Sequence, residues 1–294
     1  MEPILKWAGG KRRLISDITA LFPQNYQNLT YHEVFFGSGA LFFKIDPHSG
    51  TINDINFHLM NFYRVVRDYP EELMALTSQY EYSEENYYQL RDRFNQTSLS
   101  NLEYASLLLY LNKTAYNGLY RVNSKGEFNV PFGRYYNPTI VPKARIISAS
   151  RVLKNIEIFC TDFSYVKDYA NTGDLCYFDP PYYPISSTAN FTSYSSNGFN
   201  FKDQIRLRDI CVDLDEKGVY FVLSNAYAAE IIDLYEEINS FRIETVKANR
   251  IISSKASTRG PINEILVTNI PKIRSIGKKV YRYSEPLIYY HARV

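Results

Sequence analysis

Short apolar runs alternate with amphipathic stretches along this chain. Apolar or alternating runs predict β-strands at residues 31–36, 51–53, 155–160, 175–178, 219–225, 241–247 and 264–268. Apolar positions spaced three and four residues apart predict helices at residues 12–21, 57–67, 83–94, 102–112 and 202–217. Strands near both ends of the chain, with a group of helices between them, predict an α/β protein interrupted by a mainly helical insertion.

The apolar strand at 175–178 ends at Asp179, and Pro180 and Pro181 follow directly. Open α/β sheets bind ligands at the carboxyl ends of their strands, so Asp179 is predicted at the edge of a site. A carboxylate there and the Pro180 carbonyl can accept both hydrogens of an exocyclic amine, which directs the nitrogen lone pair at an incoming methyl group. Tyr182 offers a flat face for a base turned out of a duplex. A strand that ends in an ordinary turn fits these residues equally well.

The amino-terminal segment contains a glycine pair that must be interpreted with its neighbours. Gly9, Gly10 and Lys11 do not form a phosphate loop, because Leu5 stands where that loop has glycine and Arg12 where it has Ser or Thr. A plain glycine turn before a helix is one interpretation. The other uses the single tryptophan of the chain, Trp7, which could stack on the adenine of a cofactor whose carboxylate meets Lys11.

These two segments resemble known enzymes. Asp179 to Tyr182 resemble the Asp-Pro-Pro-Tyr motif of amino-methyltransferases that use S-adenosylmethionine (SAM), and residues 6–11 resemble the Lys-Trp-Ala-Gly-Gly-Lys opening of the Dam-like DNA adenine-N6 methyltransferases. The resemblance implies that Asp179, Pro180 and Tyr182 are catalytic. It also implies that Trp7, Lys11 and Asp179 lie against SAM and that Lys6 contacts DNA.

A second group of cofactor residues follows the first strands. Gly37 and Gly39 form a close-approach turn, and Phe42 stands where a dinucleotide fingerprint has its third glycine, which favours a cofactor without a pyrophosphate. Asp54, at the end of the next strand, can hold ribose hydroxyls. The same family has an acid and an aromatic residue that flank the cofactor adenine, which implies that role for Asp162 and Phe163. In the first predicted strand, Val34 follows the acid Glu33, where many members of the family have proline.

Residues 113–151 are basic, with seven Lys or Arg residues against one acid, Glu127. Basic side chains interleaved with Tyr and Asn suit phosphate contact and base recognition, although a solvated basic loop is the plainer interpretation. Residues 124–126 suggest a hairpin tip. The segment resembles the recognition segment of enzymes that methylate adenine in GATC, although Tyr120 and Val122 depart from some members. The resemblance implies that DNA is recognised by Tyr116, Asn117, Arg121, Pro131 and Tyr135.

Taken together, the chain is identified as a Dam-like enzyme with an α/β, Rossmann-like SAM-dependent methyltransferase fold: a mixed sheet with an inserted, mainly helical target-recognition domain. The expected divisions are a catalytic domain at 1–56 and 143–275, a DNA-recognition domain at 57–142, and a tail at 276–294 to which we assign no role. The expected partner is double-stranded DNA. A cognate restriction endonuclease as system partner stays open, and no obligate protein partner is indicated. The alternatives are an amino-methyltransferase acting on cytosine-N4 or on single strands, and a DNA-binding relative without activity.

Composition excludes several classes of protein and site. The chain has 294 residues and 45% hydrophobic content, enough for a sizeable core, and its net charge of +2 does not by itself indicate nucleic acid. It has no apolar run near the roughly 18 residues of a membrane span, and its first residues lack a signal-peptide pattern. The three scattered cysteines indicate reduced thiols in a cytoplasmic protein. The four histidines have no metal-ligand spacing, so we expect no metal.

Overall fold

A computed structural model describes residues 1–9, 11–183, 199–249 and 261–272. The tail at 276–294 lies outside the described residues. Most of residues 186–200, predicted from the sequence as a polar loop that could close over DNA, also lie outside the described residues. The same is true of most of residues 249–260, predicted as a basic loop that contacts phosphate.

The described residues form a mixed sheet of seven strands in the order β3-β2-β1-β4-β5-β7-β6. The strands are β1 (Tyr31–Glu33), β2 (Gly50–Asn53), β3 (Ile156–Phe159), β4 (Leu175–Phe178), β5 (Tyr220–Ala226), β6 (Arg242–Asn249) and β7 (Pro261–Thr268). Neighbours from β3 to β5 are parallel, whereas β7 runs antiparallel to both β5 and β6. The chain leaves β1 in one direction for β2 and β3 and returns on the other side for β4 and β5, so the strand order reverses beside β1 and β4.

The helices are α1 (Ile15–Ala20), α2 (Phe42–Ile45), α3 (Phe57–Asp68), α4 (Pro70–Thr77), α5 (Glu84–Phe94), α6 (Asn101–Thr114), α7 (Lys143–Leu153), α8 (Val166–Tyr169), α9 (Phe201–Glu216) and α10 (Ala229–Glu236). Their starts follow local chemistry. Ser100 and Glu103 form a reciprocal capping box at α6, and the Asn56 and Ser83 side chains cap α3 and α5. Among the described residues, none of the helices is long and apolar enough to cross a membrane.

Apolar side chains pack on both faces of the sheet. On one face, residues of α3, α5 and α6 form one continuous core with sheet residues such as Tyr31, Ile52 and Tyr177. On the other face, α9 and α10 pack over Val34, Phe178 and Phe221. The helical insertion therefore rests directly on the sheet and shares its core.

The structure confirms the α/β fold with a mixed sheet and an inserted group of helices. Each predicted strand is present, although the one predicted at 31–36 ends at Glu33, because the chain then enters a turn in which Gly37 and Gly39 have positive φ. The predicted helix at 12–21 is shorter and starts at Ile15. Helices α4, α7, α8 and α10 were not predicted.

Candidate functional site

The carboxyl ends of β1, β2 and β4 meet at one edge of the sheet, beside the point where the strand order reverses. Because β7 runs antiparallel, its first residues reach the same edge, and Glu264 of β7 pairs with Ala226 at the end of β5. We call the five side chains gathered there the transfer site: Lys11, Asp179, Tyr182, Ser224 and Glu264.

Asp179 is the first residue after the buried strand β4, and its side chain is 19% exposed. Its Oδ1 lies 3.2 Å from the Lys11 ammonium and accepts a hydrogen bond of 3.0 Å from the Ser224 hydroxyl. Burial raises the pKa of Asp179 to about 6, although Lys11 and Ser224 act in the opposite direction. The carboxylate is therefore ionised and held by two donors at neutral pH.

Further hydrogen bonds hold the turn that follows Asp179. The Gln204 side-chain amide donates to the Pro181 carbonyl over 3.2 Å, and Asn225 donates to Gln204 over 2.9 Å. Ser224 itself lies 3.0 Å from the Tyr177 hydroxyl. Because Gln204, Ser224 and Asn225 are buried, these contacts fix the Asp-Pro-Pro-Tyr turn against α9 and β5.

Tyr182 lies across the same site from Asp179. The Lys11 ammonium sits 4.0 Å from the centroid of its ring, and the Tyr182 hydroxyl donates to Glu264 over 2.5 Å. Burial raises the pKa of Tyr182, so its hydroxyl remains a donor. Glu264 was not among the residues predicted from the sequence. Its one sequence signal is an acid at the start of the last strand, where the surrounding positions are mostly apolar.

The predicted cofactor turn and Asp54 are directly connected. Asp54 accepts one hydrogen bond from the Gly37 amide (3.0 Å) and another from the Asn56 amide (2.9 Å), and burial raises its pKa. At Gly39, with φ +68°, an added Cβ would lie 2.4 Å from the Phe36 ring, so only glycine fits. The Trp7 ring lies beside this turn, 3.4 Å from where a Cβ on Gly37 would be.

Asp162 and Phe163 lie just after β3, farther along the same edge. Phe163 is buried, with its ring 5.6 Å from Phe35, which follows β1. Asp162 is exposed and accepts hydrogen bonds from the Ser164 amide and the Arg206 guanidinium. The Arg206 group also stacks over the Phe163 ring at 4.7 Å. The structure thus brings Phe163 toward the glycine turn and leaves Asp162 on the rim.

The recognition segment, residues 116–135, contains the predicted hairpin. Val122 bridges Phe128, and the Gly126 amide closes the tip by donating to the Asn123 carbonyl. Arg121 is exposed, and its guanidinium donates to the Asn129 side chain over 2.8 Å. The structure therefore presents Arg121 at the base of the hairpin with its side chain already oriented.

The other predicted DNA residues gather beside this hairpin. Tyr116 is 54% exposed, and its amide donates to the Pro131 carbonyl over 2.9 Å. Asn117, also exposed, has φ +55°, a conformation that Asn tolerates better than most residues. The Tyr135 hydroxyl donates to the Ala115 carbonyl, and the Lys6 ammonium lies 5.3 Å from the Tyr135 ring.

Asn112 joins the recognition segment to the amino-terminal segment. Its buried side chain accepts from the Lys6 amide (2.9 Å) and donates to the carbonyls of Lys6 (2.8 Å) and Gly118 (3.1 Å). Trp7 also stacks on Tyr120, with ring centroids 4.8 Å apart. Asn112 was not singled out from the sequence as a functional residue, because nothing local distinguishes an amide that spans two distant segments.

Lys113, the next residue, points inward. Its ammonium donates to the Ile4 carbonyl, and burial together with Arg145, Lys6 and Arg12 lowers its pKa to about 8. Lys113 is thus already engaged in holding the amino-terminal segment. Among the described residues, no three His, Cys, Asp or Glu side chains are grouped to hold a metal ion.

Residues 7–252 match the family model described as D12 class N6 adenine-specific DNA methyltransferase. The matched range contains most of the sheet, the whole recognition segment and the Asp179 turn.

Similarity to known proteins extends over nearly the whole chain. It is 45% identical over 276 residues to the type II methyltransferase M1.LlaDCHI of Lactococcus lactis subsp. cremoris, covering 92% of this chain and 95% of that protein. It is 40% identical to the type II methyltransferase M.MjaIII of Methanocaldococcus jannaschii, covering 92% of this chain and 99% of the relative. It is 35% identical to the DNA adenine methylase of Escherichia coli strain K12, covering 94% and 98%.

Proposed function

The chain belongs to the D12 class of N6 adenine-specific DNA methyltransferases, and from that premise we propose that it methylates N6 of the adenine in GATC within duplex DNA after turning that base out of the helix. It is an adenine-specific DNA methyltransferase, and enzymes of this family take the methyl group from SAM. The GATC specificity, the turning-out of the base and the roles of individual residues are our proposals.

Asp179 and the Pro180 carbonyl hold the target amine in this proposal. The ionised Asp179 accepts one amine hydrogen and the Pro180 carbonyl the other, which leaves the nitrogen lone pair free to face the methyl group. The observation that carries the proposal is the paired contact of Lys11 and Ser224 with Asp179 Oδ1, since it fixes the carboxylate without using its second oxygen. A positioned and ionised acceptor is what this reaction asks of the protein.

Tyr182 supplies the face on which the turned-out adenine stacks. The Tyr182 hydroxyl donates a hydrogen bond to Glu264, and the Lys11 ammonium lies 4.0 Å from the centroid of the Tyr182 ring. Enzymes that modify a base inside a duplex must extrude that base, and aromatic stacking then holds it. Tyr182 and Asp179 both contact the Lys11 ammonium, which supports a single pocket for ring and amine.

The residues at the glycine turn fit SAM, which supplies the methyl group when bound. Gly39 leaves no room for a Cβ, and Asp54 fixes the Gly37 amide, so the turn is shaped before any ligand arrives. We propose that Trp7 and Phe163 contact the adenine of SAM, with Asp162 at its rim. Asp54 then faces the ribose and Lys11 the carboxylate. Asp179 borders the methyl end.

Residues 57–142 form the DNA-recognition part in this proposal. Lys6, Tyr116, Asn117, Pro131 and Tyr135 surround the place where the duplex opens, and Arg121 recognises a guanine edge. Arginine donates two hydrogen bonds to guanine O6 and N7, and the Arg121 side chain is exposed and oriented for this.

We further propose a type II modification role, because the relatives at 45% and 40% identity carry that name. The system partner would be an endonuclease that cuts the same unmethylated sequence. The location would be the cytoplasm, where the substrate DNA lies and where free thiols such as Cys160, Cys176 and Cys211 persist.

The test is to express the chain in a host without adenine methylation and to map modified bases across the host DNA. We expect N6-methyladenine at GATC and unmodified adenine elsewhere. The same host carrying Asp179→Ala is the control for background methylation. Modification at another sequence would overturn the GATC assignment, and modification at cytosine N4 would overturn the target base.

A further inference from the structure

Glu264 lies inside the transfer site, but in the proposed reaction it contacts neither the target amine nor the methyl group. Its side chain is 15% exposed, and one oxygen, Oε2, accepts the Tyr182 hydroxyl at 2.5 Å and lies 3.7 Å from the Lys11 ammonium. A mostly buried carboxylate is costly unless its oxygens are paired and hydrogen-bonded. Both of these contacts are with residues of the site, which indicates that Glu264 serves the site.

The contacts of Glu264 complement those of Asp179. Lys11 lies between the two carboxylates, 3.2 Å from Asp179 and 3.7 Å from Glu264, and above the Tyr182 ring. Three contacts therefore fix the position of the Lys11 ammonium: two carboxylates and one aromatic ring. Without Glu264, the ammonium would keep Asp179 as its remaining anionic contact within this group.

The Tyr182 ring depends on Glu264 in a second way. Its backbone follows two prolines, so the base of the side chain is held by a restricted turn. The hydroxyl bond to Glu264 holds the opposite end of the ring. A stacking face held at both ends meets a turned-out base in one orientation, which shortens the search for the reactive geometry.

We propose that Glu264 is a positioning residue for methyl transfer: its carboxylate anchors the Tyr182 ring on which the target adenine stacks and holds Lys11 beside Asp179. Glu264 touches neither the adenine nor the methyl group in this scheme, and it acts through Tyr182 and Lys11. The inference rests on the proposed function, since it assigns the stacking role to Tyr182.

Three variants separate the parts of this role. Glu264→Ala removes both contacts, Glu264→Gln keeps an oxygen that can accept the Tyr182 hydroxyl but removes the charge facing Lys11, and Tyr182→Phe keeps the ring but removes its hydroxyl. Glu244→Ala is the matched control, because Glu244 is a partly exposed acid of the same sheet whose ion pairs are with Arg242 and Lys272.

We expect Glu264→Ala to lower kcat about 10- to 100-fold, as displacement of a positioned group by about 1 Å does. Glu264→Gln should lower kcat less than Glu264→Ala does, because it keeps the contact with Tyr182, and Glu244→Ala should leave kcat unchanged. In the Tyr182→Phe background, Glu264→Ala should cost much less than in the wild type, because residues that act through one contact are not additive. Melting curves of all variants establish that each is folded.

Two further readouts distinguish positioning from a structural role. The negative charge of Glu264 contributes to raising the pKa of Asp179, so Glu264→Gln should move the acid limb of the rate profile to lower pH. In a duplex with 2-aminopurine at the target position, measured without SAM, Glu264→Ala should lower the fluorescence anisotropy of the turned-out base.

A kcat for Glu264→Ala within twofold of the wild type would overturn the proposal. So would an equal loss in both Tyr182 backgrounds combined with an unmoved acid limb and unchanged anisotropy. If the wild type itself does not methylate GATC duplexes, the proposed specificity fails, and the Glu264 comparison is then made on the sequence that is methylated.

Discussion

Lys11, Asp179 and Glu264 have side chains that are only 11, 19 and 15% exposed, whereas Tyr116 and Arg121 of the recognition segment face solvent. In the transfer site each charged group is held by several others across distant parts of the chain. In the recognition segment the Arg121 side chain is held within its own hairpin, by Asn129 eight residues away.

This difference follows from what each region must do. A methyl transfer needs one fixed geometry, which a buried and mutually paired set of groups provides. Recognition of a base edge requires a side chain that exchanges an internal partner for a nucleic-acid partner, which is easier at an exposed hairpin. We therefore expect substitutions in the transfer site to act on rate, and those in the recognition segment to act on the choice of sequence.

The largest effect is expected from Asp179→Ala. Loss of the acceptor carboxylate should lower methyl incorporation into duplex DNA at least about 100-fold, the lower range for a positioned acid or base. The variant should remain folded, because Lys11 keeps Glu264 and Ser224 keeps the Tyr177 hydroxyl as partners. Asp209→Ala, which changes an exposed acid of α9, is the control. Near-normal turnover of Asp179→Ala would remove Asp179 from the mechanism.

Arg121→Ala tests the role of the exposed recognition segment. Loss of a bidentate pair with guanine should cost about 1–3 kcal/mol of discrimination at one base pair of GATC. Lys125→Ala, at the tip of the same hairpin, should weaken binding to every duplex alike and reduce its salt dependence. Both variants are measured on GATC and on duplexes with a single base pair changed.

The two variants can also give the same result. Should both lower activity equally on every duplex, Arg121 contacts phosphate, and the guanine must be recognised elsewhere in residues 57–142.

The pH dependence of kcat/KM tests whether the buried carboxylate must be ionised. Because burial raises the pKa of Asp179 to about 6, the acceptor is lost by protonation as the pH falls through that value. We expect kcat/KM to fall about tenfold per pH unit below about pH 6. Melting curves at each pH establish that the enzyme is still folded. A profile that stays flat to pH 5 would mean that Lys11 and Ser224 outweigh burial.

An effect on stability alone is expected from Glu33, a buried acid of β1 that accepts the Tyr31 hydroxyl over 2.8 Å. Burial raises its pKa from 4.5 to about 8, so between these values the folded chain binds a proton that the unfolded chain has lost. The free energy of unfolding should therefore fall with rising pH across this window, by up to about 1.4 kcal/mol per unit. Glu33→Gln should lack this component in denaturant titrations at pH 5 and 8. Equal slopes in both proteins would contradict the raised pKa.

Several features were determined by the sequence alone, because their causes are local. The apolar run 175–178 is a strand that ends at Asp179, as its composition and the following prolines predict. The helices at 57–67, 83–94 and 102–112 follow from the spacing of their apolar residues and are present within a few residues of those bounds. The hairpin at 124–126 follows from its turn residues.

Which distant residues meet depends on the strand order and strand direction of the folded chain, since local periodicity carries no information on either. Glu264 reaches Tyr182, 82 positions away in sequence, because the last strand runs antiparallel and brings its start to the carboxyl edge. Asn112 bonds Lys6 across 106 positions because α6 packs over the amino-terminal segment. The sequence thus singled out Asp179 and Tyr182, and the fold supplied the side chains that hold them in place.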